Sequence, residues 1–413
     1  VCHKGILSAR YLADRIPRMP PDRLKRHYGS PVSGSHYWPR PDITEPIVAS
    51  LRAGESVKLF GLRRAGKSSV MLAVEEALKA VGLKPVYVDV QGHDRIDKLI
   101  SALLAALPDT DAVRRISRAL SPARLNQAVE FFNTVRGKAA DTPASPTAVL
   151  QQVELVSGDL TKVLAQQASS VVLLIDELPF LIDNMLKRGV KEADVNGFLA
   201  TLRSWRQDGR VPMLLSGSMG LSWLIRERGI AREHFNDLIK GLTPPPLEAD
   251  DARAMLEALA TEEGCTWLTD ELLNVVLQEL AVTYPSFIQF AFGRLKDNKA
   301  HTPDEVRRVF TTHIRPSLDE DFYAQFDTRM KRFEANDKAM ARDVLRCVDK
   351  AGEAAAALAE IDRVLGSHAA SDRDEILTIL IEDGFLSVDT RAQTATFSSP
   401  LVRTWWQSKP YRR

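Results

Sequence analysis

Within Val57–Ser69, V-K-L-F-G-L-R-R-A-G-K-S-S, residues Gly61 to Ser68 fit the pattern G-x-x-x-x-G-K-S. Glycines that bound a short loop permit backbone conformations and close approaches that a side chain would block, so successive N–H groups can converge on phosphate oxygens. The candidate cradle runs through Gly61, Leu62, Arg63, Arg64, Ala65, Gly66, Lys67, Ser68 and Ser69. Lys67 would reach the β- and γ-phosphates of a nucleoside triphosphate, and the Ser68 hydroxyl would ligate Mg²⁺. A second group lies far downstream, where Val171–Asp176, V-V-L-L-I-D, is followed by Glu177. Asp176 could hold Mg²⁺ through water, and Glu177 could polarise an attacking water. Each piece has a bland alternative, a chance glycine turn for the first and ordinary turn acids for the second. Together they favour the chemistry.

Such side chains need elements that place them. V-K-L-F is a short apolar run and V-M-L-A-V-E-E-A-L-K, after Ser69, is helical in pattern, so the loop sits between strand and helix. The positive end of that helix would add to the attraction for phosphate. V-V-L-L-I-D has the uninterrupted apolar character of a strand buried on both faces. Further strands are expected at Lys84–Val90 and Val211–Ser216.

The two motifs resemble Walker A and Walker B of the P-loop NTPases that have an inserted central strand and a glutamate beside the Walker B aspartate, the AAA+/ASCE type. G-L-R-R-A-G-K-S-S, Y-V-D-V-Q-G at Tyr87–Gly92 and L-I-D-E-L-P at Leu174–Pro179 narrow this. They look like the archaeal-type ATPases and the STAND signal-transduction ATPases, a group similar to the Orc1/Cdc6 branch of AAA+ proteins. The resemblance covers about residues 30–315 and, more loosely, the tail. It implies ATP and Mg²⁺ as cofactors. By order and position Val211–Ser216 resembles the sensor-1 strand, which makes Ser216 and Ser218 the candidates to read the γ-phosphate. S-G-S-M-G is no hydrolase elbow, because G-x-S-x-G would need glycine at position 216. The resemblance also makes Tyr37, Trp38 and Pro39 candidate base contacts. Relatives often carry a basic residue after a proline in the third lid helix; here Ser286 stands there, with Arg294 two turns on as a substitute. An arginine after sensor 1 can reach a neighbour's γ-phosphate in oligomeric relatives, and Arg226, Arg228 and Arg232 are either that or solvated surface.

The chain has 413 residues, 45% apolar and 26% charged, which predicts more than one domain of ordinary globular character. A net charge of +1 supplies no global attraction to nucleic acid or membrane. Cys2, Cys265 and Cys347 are too scattered for a disulfide framework or metal cluster, which fits a reducing cytoplasm. The beginning lacks a long apolar core, so no signal peptide is expected, and no stretch reaches the roughly 20 apolar residues of a membrane span.

The expected organisation is a basic arm at 1–45, a P-loop ATPase core at 46–243, a helical lid at 244–315 and a winged-helix-like domain at 316–413. The arm carries Arg10, Arg15, Arg18, Arg23, Lys25 and Arg26, which face water, nucleic acid or an acidic partner. Roughly 80 residues separate Val90 from Val171, more than one crossover helix needs. Periodic segments near 94–107, 111–120, 123–136 and 147–168 make this a helical insertion at about 94–168. Residues 183–194 read as loop before a helix at 194–207. The prolines at 244–246 mark the boundary with the lid, whose helices fall near 249–262, 269–281, 286–297 and 303–315. Helices near 335–349, 353–365 and 371–383 and a hairpin from F-L-S-V and T-A-T-F complete the chain, with Trp405 and Trp406 in its core. The third helix carries Asp372, Asp374, Glu375, Glu382 and Asp383 against Arg373, a face that phosphates repel, so packing or protein contact is favoured over DNA.

The fold class is therefore α/β, a P-loop NTPase parallel sheet core with a helical insertion, an α-helical lid and a C-terminal winged-helix-like domain. The function expected is an Mg²⁺-dependent ATPase acting as a switch on a protein partner, an effector or an assembly, with homo-oligomers possible. The absence of an N/T-K-x-D guanine-reading tetrapeptide agrees with ATP. The alternative is an ATP-dependent DNA-binding protein of the Orc1/Cdc6 or transposition-regulator kind, using the arm, Arg391 in the wing and the terminal Arg403, Lys409, Arg412 and Arg413.

Overall fold

The computed structural model describes residues 23–91, 96–108, 110–120, 146–166, 170–238, 240–280, 282–352, 354–366 and 368–410. The expected helix near 123–136, Cys2, Arg10, Arg15, Arg18, Arg412 and Arg413 lie outside them.

Five strands, β1 (Val57–Phe60), β2 (Lys84–Asp89), β3 (Val171–Asp176), β4 (Met213–Gly217) and β5 (Lys240–Leu242), form one parallel sheet in the order β2-β3-β4-β1-β5. Every residue of β3 and of β4 is buried, as their apolar runs require. β4 lies between β1 and β3, with Phe60 beside Gly217 and Leu214 beside both Val57 and Leu174. The carboxyl ends of the three strands open on one edge, the crevice in which parallel sheets bind ligands. On one face α1 (Pro41–Arg52) and α2 (Lys67–Ala80) bury Ile47, Val48, Met71 and Val74 against Leu59, Leu174 and Leu214. The larger core covers the opposite face and continues into the rest of the chain. β5 escaped the sequence reading, being three residues, K-G-L, beside the proline run.

The insertion gives α3 (Ile96–Ala106), α4 (Asp111–Ala119) and α5 (Pro146–Gln166). After β3, α6 (Leu178–Lys187) and α7 (Glu192–Gln207) leave only 188–191 as connection. This corrects the loop expected at 183–194: Leu178, Leu181, Ile182 and Met185 make one buried stripe, and of the polar D-N between them Asp183 is buried with Lys187 and Arg228 as partners and Asn184 half-buried. After β4 comes α8 (Leu221–Arg228).

Four helices follow, α9 (Ala249–Glu262), α10 (Asp270–Glu279), α11 (Pro285–Asp297) and α12 (Pro303–Val309). The chain does not break near 315. A π-helical turn at Phe310–Ile314 runs directly into α13 (Arg315–Arg332), with Pro316 in its first turn, where a missing N–H costs little. This long helix was absent from the sequence reading. Beyond it stand α14 (Ala335–Ala351), β6 (Ala356–Ala357), α15 (Leu358–Val364), α16 (Ala370–Glu382), β7 (Leu386–Asp389), β8 (Thr394–Phe397) and α17 (Pro400–Gln407). Their antiparallel sheet has the order β6-β8-β7. Trp405 and Trp406 are fully buried, Trp405 lying 5.2 Å from Phe326 of α13 and 5.5 Å from Phe385 between ring centres. Among the described residues no helix is long and apolar enough to cross a membrane.

Candidate functional site

The loop between β1 and α2 is shaped by its two glycines. Gly61 has φ 155°, and a Cβ there would come 2.9 Å from Thr243 Cγ2; Gly66 caps α2 at φ 92°. Both conformations favour glycine. Lys67 opens α2 and is 5% exposed, with Nζ donating to the carbonyls of Gly61 at 3.0 Å and Leu62 at 2.8 Å. Burial pushes its pKa down to about 8, against the opposing pull of Glu177 and Asp176. A buried ammonium whose hydrogen bonds, among the described residues, go to carbonyls is ready for an anionic partner.

Across the crevice, Asp176 ends β3 and is 1% exposed. Its Oδ1 accepts from Ser216 Oγ at 2.6 Å and its Oδ2 from Tyr87 OH at 3.1 Å. Burial and then the Asp176 charge push the Tyr87 pKa up, which keeps it a donor. Glu177 follows with φ 61°, a left-handed conformation that costs a non-glycine residue about 1–2 kcal/mol. Its Oε2 accepts from Ser218 N at 3.0 Å and Ser218 Oγ at 3.1 Å. Ser216 and Ser218, expected to read phosphate, both serve the acids in this arrangement.

An open cleft has Arg63, Lys67, Ser68 and Glu177 in its walls, while the buried Asp176 lies behind Glu177 and does not line it. Among the described residues no cluster of three or more His, Cys, Asp or Glu could hold a metal by itself. The donors present, Ser68 and a carboxylate already accepting two hydrogen bonds, suit Mg²⁺ that keeps waters and takes its remaining ligands from phosphate. A smaller adjoining cavity is walled by Gly66, Ser69, Tyr37 and Trp38. Tyr37 OH is buried with no hydrogen-bond partner among the described residues. Pro39 does not line this cavity.

Sequence reasoning missed a third contribution, from the C-terminal part. Gln325 of α13 lines the cleft, its Oε1 accepting from Arg63 N at 3.2 Å. Arg329, one turn on and 3% exposed, donates through Nη2 to Ser218 O at 2.5 Å and through Nη1 to Asp383 O at 2.6 Å. Burial lowers its pKa to about 10. Asp383 Oδ1 accepts from Gly220 N at 2.8 Å, and burial raises its pKa. Gly384 stands so close that a Cβ would come 2.5 Å from Leu62 Cδ2. Ser286, where a lid cation was sought, donates to Arg64 O at 2.6 Å, and Arg294 lies over the Phe290 ring at 5.2 Å.

The arginines of α8 and beyond are engaged within the chain. Arg226 pairs with Asp337 at 2.5 Å, Glu375 at 2.6 Å and Asp372 at 3.0 Å; Arg232 joins Glu375 at 2.9 Å, and Arg228 reaches Asp183 at 3.4 Å. The acidic face of α16 thus meets α8. In the described part of the arm, Arg26 pairs with Glu263 at 3.3 Å and Arg23 with Glu262 at 4.0 Å.

No protein-family model and no curated protein matches this chain. Among solved structures it is similar to a Walker-type ATPase of Pyrococcus abyssi, at 14% identity over 91% of this chain and 98% of that one, with a TM-score of 0.51. It is also similar to the ORC2 protein of Aeropyrum pernix in its ADPNP and ADP complexes, at 14% identity, 94% and 98% coverage and a TM-score of 0.37. Cdc6p from Pyrobaculum aerophilum gives 12% identity, 94% coverage of each chain and 0.36. At such identities the likeness is one of fold, and the first structure carries it: this chain has an α/β P-loop NTPase fold on a parallel five-stranded sheet.

Proposed function

We propose that this chain is an Mg²⁺-dependent ATPase that uses bound nucleotide as a switch on a protein partner, an effector or an assembly. The observation that carries the reading is the buried Lys67, whose Nζ donates to two loop carbonyls at the same edge of the sheet as Asp176 and Glu177. Lys67 and the amides of 61–69 would bind the phosphates, and Ser68 with Asp176 would hold the hydrated metal, which supplies charge neutralisation to the γ-phosphate. Glu177 would orient the attacking water through the carboxylate oxygen that Ser218 leaves free. Tyr37 and Trp38 in the wall of the adjoining cavity support base recognition. Turnover is slow in this reading, because neither Ser286 nor Arg294 brings a lid cation to the phosphates.

A role in duplex DNA binding draws less support. The acids of α16 face Arg226 and Arg232, and Arg23 and Arg26 are paired with lid acids.

The test is binding of a fluorescent ATP analogue together with phosphate release, for wild type, Lys67→Ala and Glu177→Gln. Lys67→Ala is expected to lose binding, while Glu177→Gln keeps it and loses about 10²–10⁴-fold in turnover. A wild type that binds no triphosphate would sink the reading.

A further inference from the structure

We infer that Arg329 is a positioning residue for Glu177, so that the C-terminal part of the chain sets the rate of hydrolysis by being seated on the 216–220 loop. The inference rests on the ATPase reading and names the regulation of that site.

One residue separates Arg329 from the water-polarising carboxylate. Arg329 Nη2 donates to the carbonyl of Ser218, and Ser218 gives both its N–H and its hydroxyl to Glu177 Oε2. The same loop is pinned a second time, two residues on, where Gly220 N donates to Asp383 Oδ1 and a Cβ at Gly220 would come 2.5 Å from Glu382 Cβ. Ser222 N donates to Glu382 Oε2 at 2.9 Å, so the end of α16 and its turn supply two hydrogen bonds beside the one from Arg329 of α13. Arg329 itself is fixed from the other side by the carbonyl of Asp383. Glu177 has a backbone conformation that persists only where its surroundings over-determine it, and Ser218 is the group that holds its carboxylate. A Ser218 carbonyl without its guanidinium would leave that residue free to turn, taking the N–H and hydroxyl away from Glu177.

The device also touches the nucleotide side. Gln325 and Arg329 are four residues apart on α13 and share a face. The first takes the Arg63 amide in the wall of the cleft, and the second holds the Ser218 loop. A carboxamide can exchange an accepting oxygen for a donating nitrogen. A phosphate arriving at the 61–68 loop therefore meets a side chain of the helix that positions Glu177, and the state of the cleft reaches Arg329 within one helical turn.

The experiment uses the full chain with Arg329→Ala, Arg329→Lys and Asp383→Ala, the last removing the acceptor of Gly220 N, each alone and combined with Glu177→Gln. Steady-state turnover, binding of the fluorescent ATP analogue and melting are measured on the same samples. Arg329→Ala is expected to lower kcat about 10- to 100-fold, the cost of misplacing a catalytic group by an ångström or less, with affinity for the analogue changed by less than about twofold. Arg329→Lys, which keeps charge and a donor for Ser218, recovers part of the loss. Combined with Glu177→Gln, Arg329→Ala costs nothing further, since no carboxylate remains to be placed. A general structural role would instead add its loss in both backgrounds or weaken analogue binding, and either result overturns the inference. If Arg329→Ala does not fold, Arg329→Lys and Asp383→Ala decide, and wild-type kcat in both of them rejects it. Failure of the wild type to bind or hydrolyse ATP rejects the parent reading instead, which the same assays separate.

Discussion

Lys67 sets the charge of the crevice. Burial holds its pKa near 8, against 10.5 for a free lysine. At pH values between about 8 and 10.5 the unfolded chain therefore holds a proton that the folded protein has lost, and stability rises with pH across that window. Below it both states are charged and the full cost of burying the ammonium is present. Phosphate beside Nζ favours the charged form, so nucleotide binding at pH 8.5–9 is expected to take up a proton. Calorimetric titrations of the wild type in two buffers of different ionisation enthalpy should reveal it at about pH 8.5–9 and not near about pH 6.5, where Lys67 is already charged; equal uptake at both would assign the proton elsewhere. The residues of this centre were legible in the sequence because Lys67, Ser68, Asp176 and Glu177 sit in short contiguous patterns. Gln325 and Arg329 were not, because Q-F-D-T-R has no distinguishing spacing and its partners lie far off in the chain. Ser216 and Ser218 were found, but the reading gave them to phosphate, whereas Asp176 and Glu177 take their hydrogen bonds.

At the level of elements, the joint between α8, α14 and α16 is electrostatic. Arg226 is 17% exposed and answers three carboxylates, so Arg226→Ala leaves them facing one another. A loss of about 2 kcal/mol is expected, less than for a fully buried pair because water reaches part of the cluster. Thermal unfolding at low and high salt would measure it, with faster proteolysis around 333–337 as a second readout. Glu227 lies in the same cluster. Burial, then the hydrogen bond with Asp337, push its pKa up to about 7, with Glu334 adding to the rise and Arg226 opposing it. A carboxyl raised in the folded state binds its proton more tightly there, so between about pH 4.5 and 7 stability falls as pH rises. Melting of wild type relative to Glu227→Gln should fall over that interval, and parallel curves would remove Glu227 from the account. The acid-rich face of 372–383 could be read from sequence as unsuited to DNA, and α16 does pack against protein. Its partner could not, since α8 shows only a short R-E-R. Helix α13 was missed because Arg315-Pro316 looks like a stop, while Phe322, Phe326 and Met330, at helical spacing, were left unassigned.

Across the whole molecule, nucleotide in the cleft should be felt at both ends of the chain. Hydrogen exchange on Glu177→Gln with ATP and Mg²⁺ is expected to slow at 61–69, and also to change at 325–329, 216–220 and 382–385. Protection confined to 61–69 would mean that the C-terminal part does not respond. Strands β1, β3 and β4 are of the kind that sequence conveys well, since each is a compact apolar run; the covering of the crevice is not, since it depends on residues brought together late. Arg63 and Gln325 are 262 positions apart, Gly220 and Asp383 163. A ribosome adding about 5–20 residues per second needs roughly 13–50 s to cover the larger span. For that time a nascent core presents Lys67 and the 61–68 loop without Gln325, Arg329 or Gly384 over them. Cellular ATP would reach the unfinished protein first, stabilising whichever form binds it. The C-terminal part would then close over an occupied crevice, and in the ATPase reading the nucleotide would belong to the assembly of this chain before it belonged to its working cycle.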